Sequence, residues 1–261
     1  MRKLWRVLLV TLTTHVAAAT AVAAAADELR FISCPIYRDA DAGRKSGCWL
    51  VDEAATGARY DVSPSPTKPD WNHEVLVEGV VAAKQDKACG GVVLDPVRVS
   101  ILEGGCTRHM LPAEGFPGRL FVLPPRNIQP MSVARAVPPP PYARRQFSLL
   151  FEFNRSFGVY QLDDYLLDEA ITWIRAANPR QIIVTGRAAT TPMTVSGRTI
   201  AERDDVGRDR AEMVAESLRR LGVPETKLVV KWESAAEPSN AAGADGLREP
   251  SRRRADIDVI P

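Results

Sequence analysis

The stretch from residue 124 to residue 141 constrains this chain most. Pro124-Pro125, Pro130 and the run Pro138-Pro139-Pro140-Pro141 follow one another there with no apolar period between them. Proline fixes φ and removes a backbone donor, so neither a helix nor a central strand runs through such a segment. It reads instead as an extended, semi-rigid spacer. The spacer also separates two compositions, because Cys34, Cys48, Cys89 and Cys106 all precede it and no cysteine follows. A chain of 261 residues suits one large domain or two small ones, and the proline segment decides for two.

The first residues read as an address. Arg2, Lys3 and Arg6 precede an apolar stretch from Val7 to Val22, and the small residues Ala23 to Ala26 precede Asp27-Glu28. This is the layout of a secretory signal peptide, residues 1–26, cleaved after Ala26. The apolar part is too short and too rich in Ala and Thr for a strong membrane span, so no transmembrane span is expected after cleavage. No cysteine stands at the cleavage point to take a lipid. The expected location is the periplasm, with outer-membrane or cell-wall association open.

Cleavage also changes the charge. The whole chain has 34 Lys+Arg against 32 Asp+Glu, but three of the bases lie in the leader, which leaves 31 against 32. A near-neutral protein lacks the basic footprint of a nucleic-acid binder, and the short run Arg252-Arg253-Arg254 does not supply one.

Four cysteines in an oxidising compartment read as two disulfides, with three connectivities open. Closing the shorter loops favours Cys34 with Cys48 and Cys89 with Cys106. Metal binding is the competing account, but zinc sites use close Cys pairs and these spacings are wide. The region 27–120 reads as β-rich. Cys48 to Val51 and Arg59 to Val62 flank a turn at Thr56-Gly57, a hairpin signal. Val75 to Val81, Val92 to Leu94 and Val97 to Leu102 add strands rich in β-branched residues. A small disulfide-bonded β-barrel of OB-like strand order is the expectation.

Beyond the linker, taken as 121–142, residues 143–261 alternate strand and helix. Phe147 to Phe153 is a strand. Leu167, Ala170, Ile171 and Ile174 fall at helical spacing, with Asp163 or Asp164 placed to cap the start and Asn178-Pro179 to stop it. Gln181 to Gly186 is a strand. A second helix puts Ala211, Val214, Ala215 and Leu218 on one face and ends at Leu221-Gly222. Lys227 to Trp232 and Ala255 to Ile260 complete a βαβαββ order, so the whole chain is α+β with both helices packed on one sheet.

Four landmarks within this region, Phe151-Glu152-Phe153-Asn154, Val184-Thr185-Gly186, Arg210-Ala211 and Arg253-Arg254-Ala255-Asp256-Ile257, resemble the OmpA-like family of peptidoglycan-associating domains. The resemblance implies that the domain grips the diaminopimelate of a peptidoglycan stem peptide, an Asp after the second strand holding its amine and the Arg of the second helix holding a carboxylate. Arg210, Ala211, Val214 and Leu218 match that helix. The rest of the pocket departs: Ala189 stands where the Asp is expected, Arg203 replaces an Asn and Gly207 a Ser, and the loop from Thr190 to Asp205 is long. Glu202, Asp204 and Asp205 lie on that loop, and any of them would restore an acid if the loop folds back. The candidate peptidoglycan-binding residues are thus Arg210, Arg203, Asp204 and Asp205. Arg alone still forms a bidentate pair with a carboxylate. Of Arg253 and Arg254, one is expected to pair within the sheet and the other to be exposed, while Phe151 and Phe153 are core residues.

No catalytic constellation competes. His73 and His109 are the only histidines after the leader, too few for a triad or a His-rich metal site, and Cys89-Gly90-Gly91 lacks the Lys-Ser/Thr and helix of a phosphate loop. Asp39-Ala40-Asp41-Ala42-Gly43 is a polar turn and not a calcium loop, since its Gly comes one residue early and the distal Glu is missing. No metal or cofactor is expected. The function implied is a non-enzymatic envelope protein that associates with peptidoglycan and has room for an envelope protein partner. The alternative is an OmpA-like fold that has lost this site and serves as an interaction or assembly module.

Overall fold

The computed structural model describes residues 27–40, 47–113, 115–119, 136–156, 160–239 and 246–261, with backbone alone for 160–166. The expected leader, residues 121–135 of the expected linker and Asp41 to Gly43 lie outside the described residues.

Among the described residues, seven strands lie before residue 121: β1 (Leu29–Ser33), β2 (Pro35–Arg38), β3 (Cys48–Asp52), β4 (Arg59–Asp61), β5 (His73–Val81), β6 (Val92–Gly105) and β7 (His109–Leu111). They form one sheet in the order β1-β5-β6-β4-β3-β2-β7. The hairpin read around Thr56-Gly57 is β3 paired antiparallel with β4, Val51 opposite Tyr60. Gly57 turns it at φ 70, in the left-handed region that a Cβ disfavours. Val75, Val77, Val97 and Val99 alternate inward from β5 and β6 to pack on Phe31, Val51 and Tyr60.

The expected barrel does not close. Among the described residues β1 and β7 are the two edges of an open sheet. The physical reason lies at those edges. Three-residue β7 spends its pairing on β2, with which it runs parallel. On the outer edge of β1, the Ile32 N–H donates to Ser196 Oγ at 2.9 Å instead of to a closing strand.

The disulfides join Cys34 to Cys106 and Cys48 to Cys89, across sequence separations of 72 and 41. The shorter loops were excluded by register. Antiparallel β2 and β3 set Cys48 opposite Arg38 and Val51 opposite Pro35, so Cys34 lies at the far end of the pair. Four residues of strand put the two cysteines about 13 Å apart, whereas the bridged pairs have Cα atoms 5.7 Å apart.

After residue 142 come β8 (Arg145–Leu150), α1 (Tyr160–Ala177), β9 (Gln181–Arg187), β10 (Met193–Val195), β11 (Arg198–Ile200), α2 (Val206–Arg220), β12 (Leu228–Glu233) and β13 (Arg254–Ile260). Four of these strands form a sheet in the order β12-β9-β13-β8, with β12 parallel to β9 and β13 antiparallel to both its neighbours. The βαβαββ order stands as read, and helix α1 begins ahead of Asp163 and Asp164, which are therefore inside it. Its end at Asn178 is turned by φ 43 before Pro179, and α2 ends before Gly222 at φ 92. The core is one cluster in which Ala170, Ile171 and Ile174 of α1 and Ala211, Val214 and Leu218 of α2 meet Phe147, Val184 and Ile257 of the sheet. The β10–β11 hairpin is additional, built inside the long loop on a two-residue Ser196-Gly197 turn with φ 49 and φ 75. Positive φ at both turn positions suits the right-handed twist of a tight hairpin.

The two sheets are also packed together. Ile32 and Leu76 share a cluster with Phe153 and Val195. Arg253, fully buried, crosses from the second sheet to the equally buried carboxylate of Glu78 on β5, one of its two contacts being 3.1 Å. Glu78 also meets Arg30 at 3.0 Å. Neither Arg253 nor Arg254 is exposed: Arg254 pairs with Asp256 at 3.1 Å as the expected in-sheet partner, and Arg253 is drawn in by an acid 175 residues away.

Candidate functional site

Helix α2 buries Val206, Gly207, Arg210, Ala211, Val214, Ala215 and Leu218, a stripe at three- and four-residue spacing. Arg210 stands four residues from both Val206 and Val214, so its side chain is carried inward with them. The helix lies close on β9. A Cβ at Gly186 would sit 1.9 Å from the Gly207 carbonyl oxygen and 2.8 Å from the Ala211 nitrogen, which leaves glycine as the residue that fits.

Arg210 is completely buried and its guanidinium is saturated. Nε donates to the Arg155 carbonyl at 2.9 Å. Nη1 donates to the Arg187 carbonyl at 2.7 Å and to Glu202 Oε2 at 2.9 Å. Nη2 donates to the Glu152 carbonyl at 3.0 Å and to Glu202 Oε1 at 2.6 Å. A guanidinium has five N–H donors, and all are used within the chain. Glu202 is saturated in turn: besides the two bonds from Arg210, Oε1 accepts the Asn154 N–H at 2.8 Å and Oε2 the Ala189 N–H at 2.7 Å. The site is therefore a receptor for one carboxylate, made of a guanidinium and two backbone amides, with a carboxylate of the chain inside it.

Its electrostatics match this geometry. Burial pushes the Glu202 carboxyl upward, and the hydrogen bonds and charge of Arg210 more than offset that, leaving it below the ordinary carboxylate range. Burial lowers Arg210 from its usual value despite Glu202. The crevice beside it, lined by Ser65, Arg98, Phe151, Glu152 and Arg253 among others, has no room for a water molecule. Glu152 within that crevice is pushed up by burial, against the opposing hydrogen bond from Thr67.

The other sequence candidates lie elsewhere. Arg203, Asp204 and Asp205 are exposed on the turn before α2, where Arg203 pairs with Asp205 at 3.2 Å and Asp209 at 3.5 Å. Only the Arg203 backbone touches the site region, its N–H donating to Asn154 Oδ1 at 2.8 Å. Of the three loop acids it is Glu202 that reaches Ala189. The main chain of four further residues completes the site, the Asn154 N–H donating to Glu202 and the carbonyls of Glu152, Arg155 and Arg187 accepting from Arg210; main-chain roles leave no mark on residue type. Around the far side of the sheet Asp256 accepts from Ser148 at 2.7 Å and Arg187 at 2.6 Å, so it too is held within the fold.

No family profile and no curated protein matches the sequence. Solved structures similar to part of it are OmpA-like domains. They include the OmpA-like domain of FopA1 from Francisella tularensis, 16% identical over 45% of this chain and 73% of that one, with a TM-score of 0.35. The peptidoglycan-associated lipoprotein from Burkholderia pseudomallei is 21% identical over 42% of this chain and 87% of that one, at 0.32. The cell wall anchor of the T6SS from Pseudomonas aeruginosa is 22% identical over 45% and 81%, at 0.34. Among the described residues no helix is long and apolar enough to cross a membrane.

Proposed function

We propose that this is a non-enzymatic protein of the cell envelope in which an OmpA-like module is kept closed by its own carboxylate and serves as an interaction or assembly module. One observation carries this reading: every donor of Arg210 is consumed inside the chain, with Glu202 seated where a ligand carboxylate would be gripped. An external carboxylate cannot be added to that set; it has to replace Glu202. The exported, periplasmic address belongs to the same proposal and rests on the leader-like first residues.

The test is co-sedimentation of the purified mature protein with intact sacculi at low salt. The protein is expected to stay in the supernatant, while in-cell crosslinking from the exposed face of α2 and the adjoining turn captures another envelope protein. Retention on sacculi that is lost in Arg210→Ala would overturn the reading in favour of direct cell-wall binding.

A second reading has its own support. The Arg210 guanidinium with the Ala189 and Asn154 amides is a complete carboxylate receptor, so association with a peptidoglycan stem peptide becomes available once Glu202 leaves. Retention of Glu202→Gly, but not of the unaltered protein, on sacculi is what this reading expects.

A further inference from the structure

We infer that the N-terminal sheet is the latch of the Arg210 site: by holding the β10–β11 hairpin it keeps Glu202 in place, so that entry of an external carboxylate is governed from the other half of the molecule. The inference rests on the reading of Arg210, Ala189 and Asn154 as a carboxylate receptor.

The geometry has three parts. First, the loop from Ala189 to Glu202 is a closed arm. At its base the Glu202 N–H donates to the Ala189 carbonyl at 3.1 Å while the Glu202 side chain accepts the Ala189 N–H, so the plug and the arm's base are one unit. At its tip is the Ser196-Gly197 turn.

Second, tip and flanks are seated on the N-terminal sheet. Ser196 Oγ accepts the edge N–H of Ile32 at 2.9 Å, and Arg198 meets Glu74 at 2.8 Å. Val195, with Met193 and Ile200, packs against Ile32 and Leu76. An edge strand with unpaired donors is a template waiting for a partner. Here the partner is the arm, whose own strands have only three residues each and, among the described residues, form a separate two-stranded sheet. A two-stranded hairpin of that length is not stable by itself in water, so its order is lent by the sheet beneath it.

Third, the opposite wall of the site is anchored to the same sheet. Asn154, which donates to Glu202, follows Phe153, whose N–H donates to Ser100 Oγ on β6 at 2.9 Å and whose ring joins Ile32 and Leu76. Arg253, buried beside Glu202 and Arg210 closely enough to influence both, completes the link through Glu78. Arm, Asn154 turn and Arg253 thus all run from the carboxylate site to β1, β5 and β6. Separating the sheets removes the support of the arm and of the wall together.

The experiment is amide hydrogen exchange on the full mature chain, comparing the unaltered protein with the double variant Ser196→Ala, Arg198→Ala, both exposed positions on the arm. Exchange at Ala189 and Asn154 is expected to quicken about tenfold or more, while Ile182 and Val184 in β9 keep their protection. Unchanged exchange at Ala189 and Asn154 overturns the inference. An equal loss at Ile182 and Val184 overturns it as well, because the variant would then loosen the whole module and not the latch. Val195→Ser repeats the comparison through the apolar seat. A separate melt of Glu202→Gly in sodium acetate against sodium chloride tests the underlying receptor. A rise in Tm with acetate alone supports a carboxylate site, and no rise removes that reading while leaving the exchange result on the arm to stand or fall by itself.

Discussion

The two halves of the molecule hold themselves together by different means. The N-terminal sheet divides its buried apolar residues among small clusters, Phe31 to Val99 on one face and Ile36, Cys48, Leu50 and Cys89 on another, and adds two covalent bridges. The C-terminal module has one large core fed by both helices and no cysteine. Small sheets without a sufficient core rely on cross-links, whereas a helix-covered sheet earns its stability by burial. The difference teaches where each half is vulnerable: one to reductant, the other to changes of volume and charge at its close contacts.

Reduction should break the comparison most visibly. Loops of 72 and 41 residues closed by disulfides each correspond to about 4 kcal/mol in the chain-entropy account, taken singly. Protein in reductant is expected to lose near-UV signal from Trp49 and Trp71 and amide protection in β5 and β6, while α2 and β9 keep theirs. Simultaneous loss in both halves would mean that the second core depends on the first.

Gly186→Ala probes the other half. The added Cβ would meet backbone at 1.9 Å, with no flexible side chain to yield, so α2 has to move off β9. Overpacking of this kind costs about 1–3 kcal/mol. Thermal melting should register it in the oxidised protein without altering the reduction midpoint of the disulfides. A substitution with no effect on Tm would refute the close helix-to-strand contact.

The smallest expected effect is the response to acid. Glu202 is held below the ordinary carboxylate range, so its pairing contributes stability above the unfolded-state pKa that is lost as pH falls through the depressed folded value. Glu152 runs the other way, raised by burial, and favours the folded state as pH falls from its raised value toward the ordinary one. Denaturation followed across the acid range should therefore weaken the C-terminal module at the low end. In Glu202→Gln that acid-linked loss should shrink, and an undiminished loss would assign it to another carboxylate.

Much of the C-terminal module was legible because its residues act locally. Leu167 to Ile174 and Ala211 to Leu218 follow a helical period, and Gly222 and Asn178-Pro179 punctuate the ends. Arg210 was marked by its place in the helix motif, but its burial was not read, although it stands four residues from both Val206 and Val214. The β10–β11 hairpin left a signal in Ser196-Gly197 between Met193-Thr194-Val195 and Arg198-Thr199-Ile200. Strands β1, β2 and β7 left little, being only five, four and three residues long. What no local pattern carried was long-range pairing: the disulfide partners, set by the register of β2 on β3, and the burial of Arg253, set by Glu78. The open edge of β1 belongs to the same class, because it is the arm, far along the chain, that takes the place of a closing strand.

The saturated pair of Glu202 and Arg210 has a consequence for any ligand in solution. Glu202 is tethered to its receptor through the eight-residue interval to Arg210 and through the arm base at Ala189, so it competes at an effective concentration fixed by the fold and not by the compartment. Short tethers hold such groups at about millimolar levels or above. A free carboxylate of equal intrinsic fit is outcompeted below that level. A polymer presenting many carboxylates along one surface is not bound by the same arithmetic, since its own local concentration is also fixed by covalent structure.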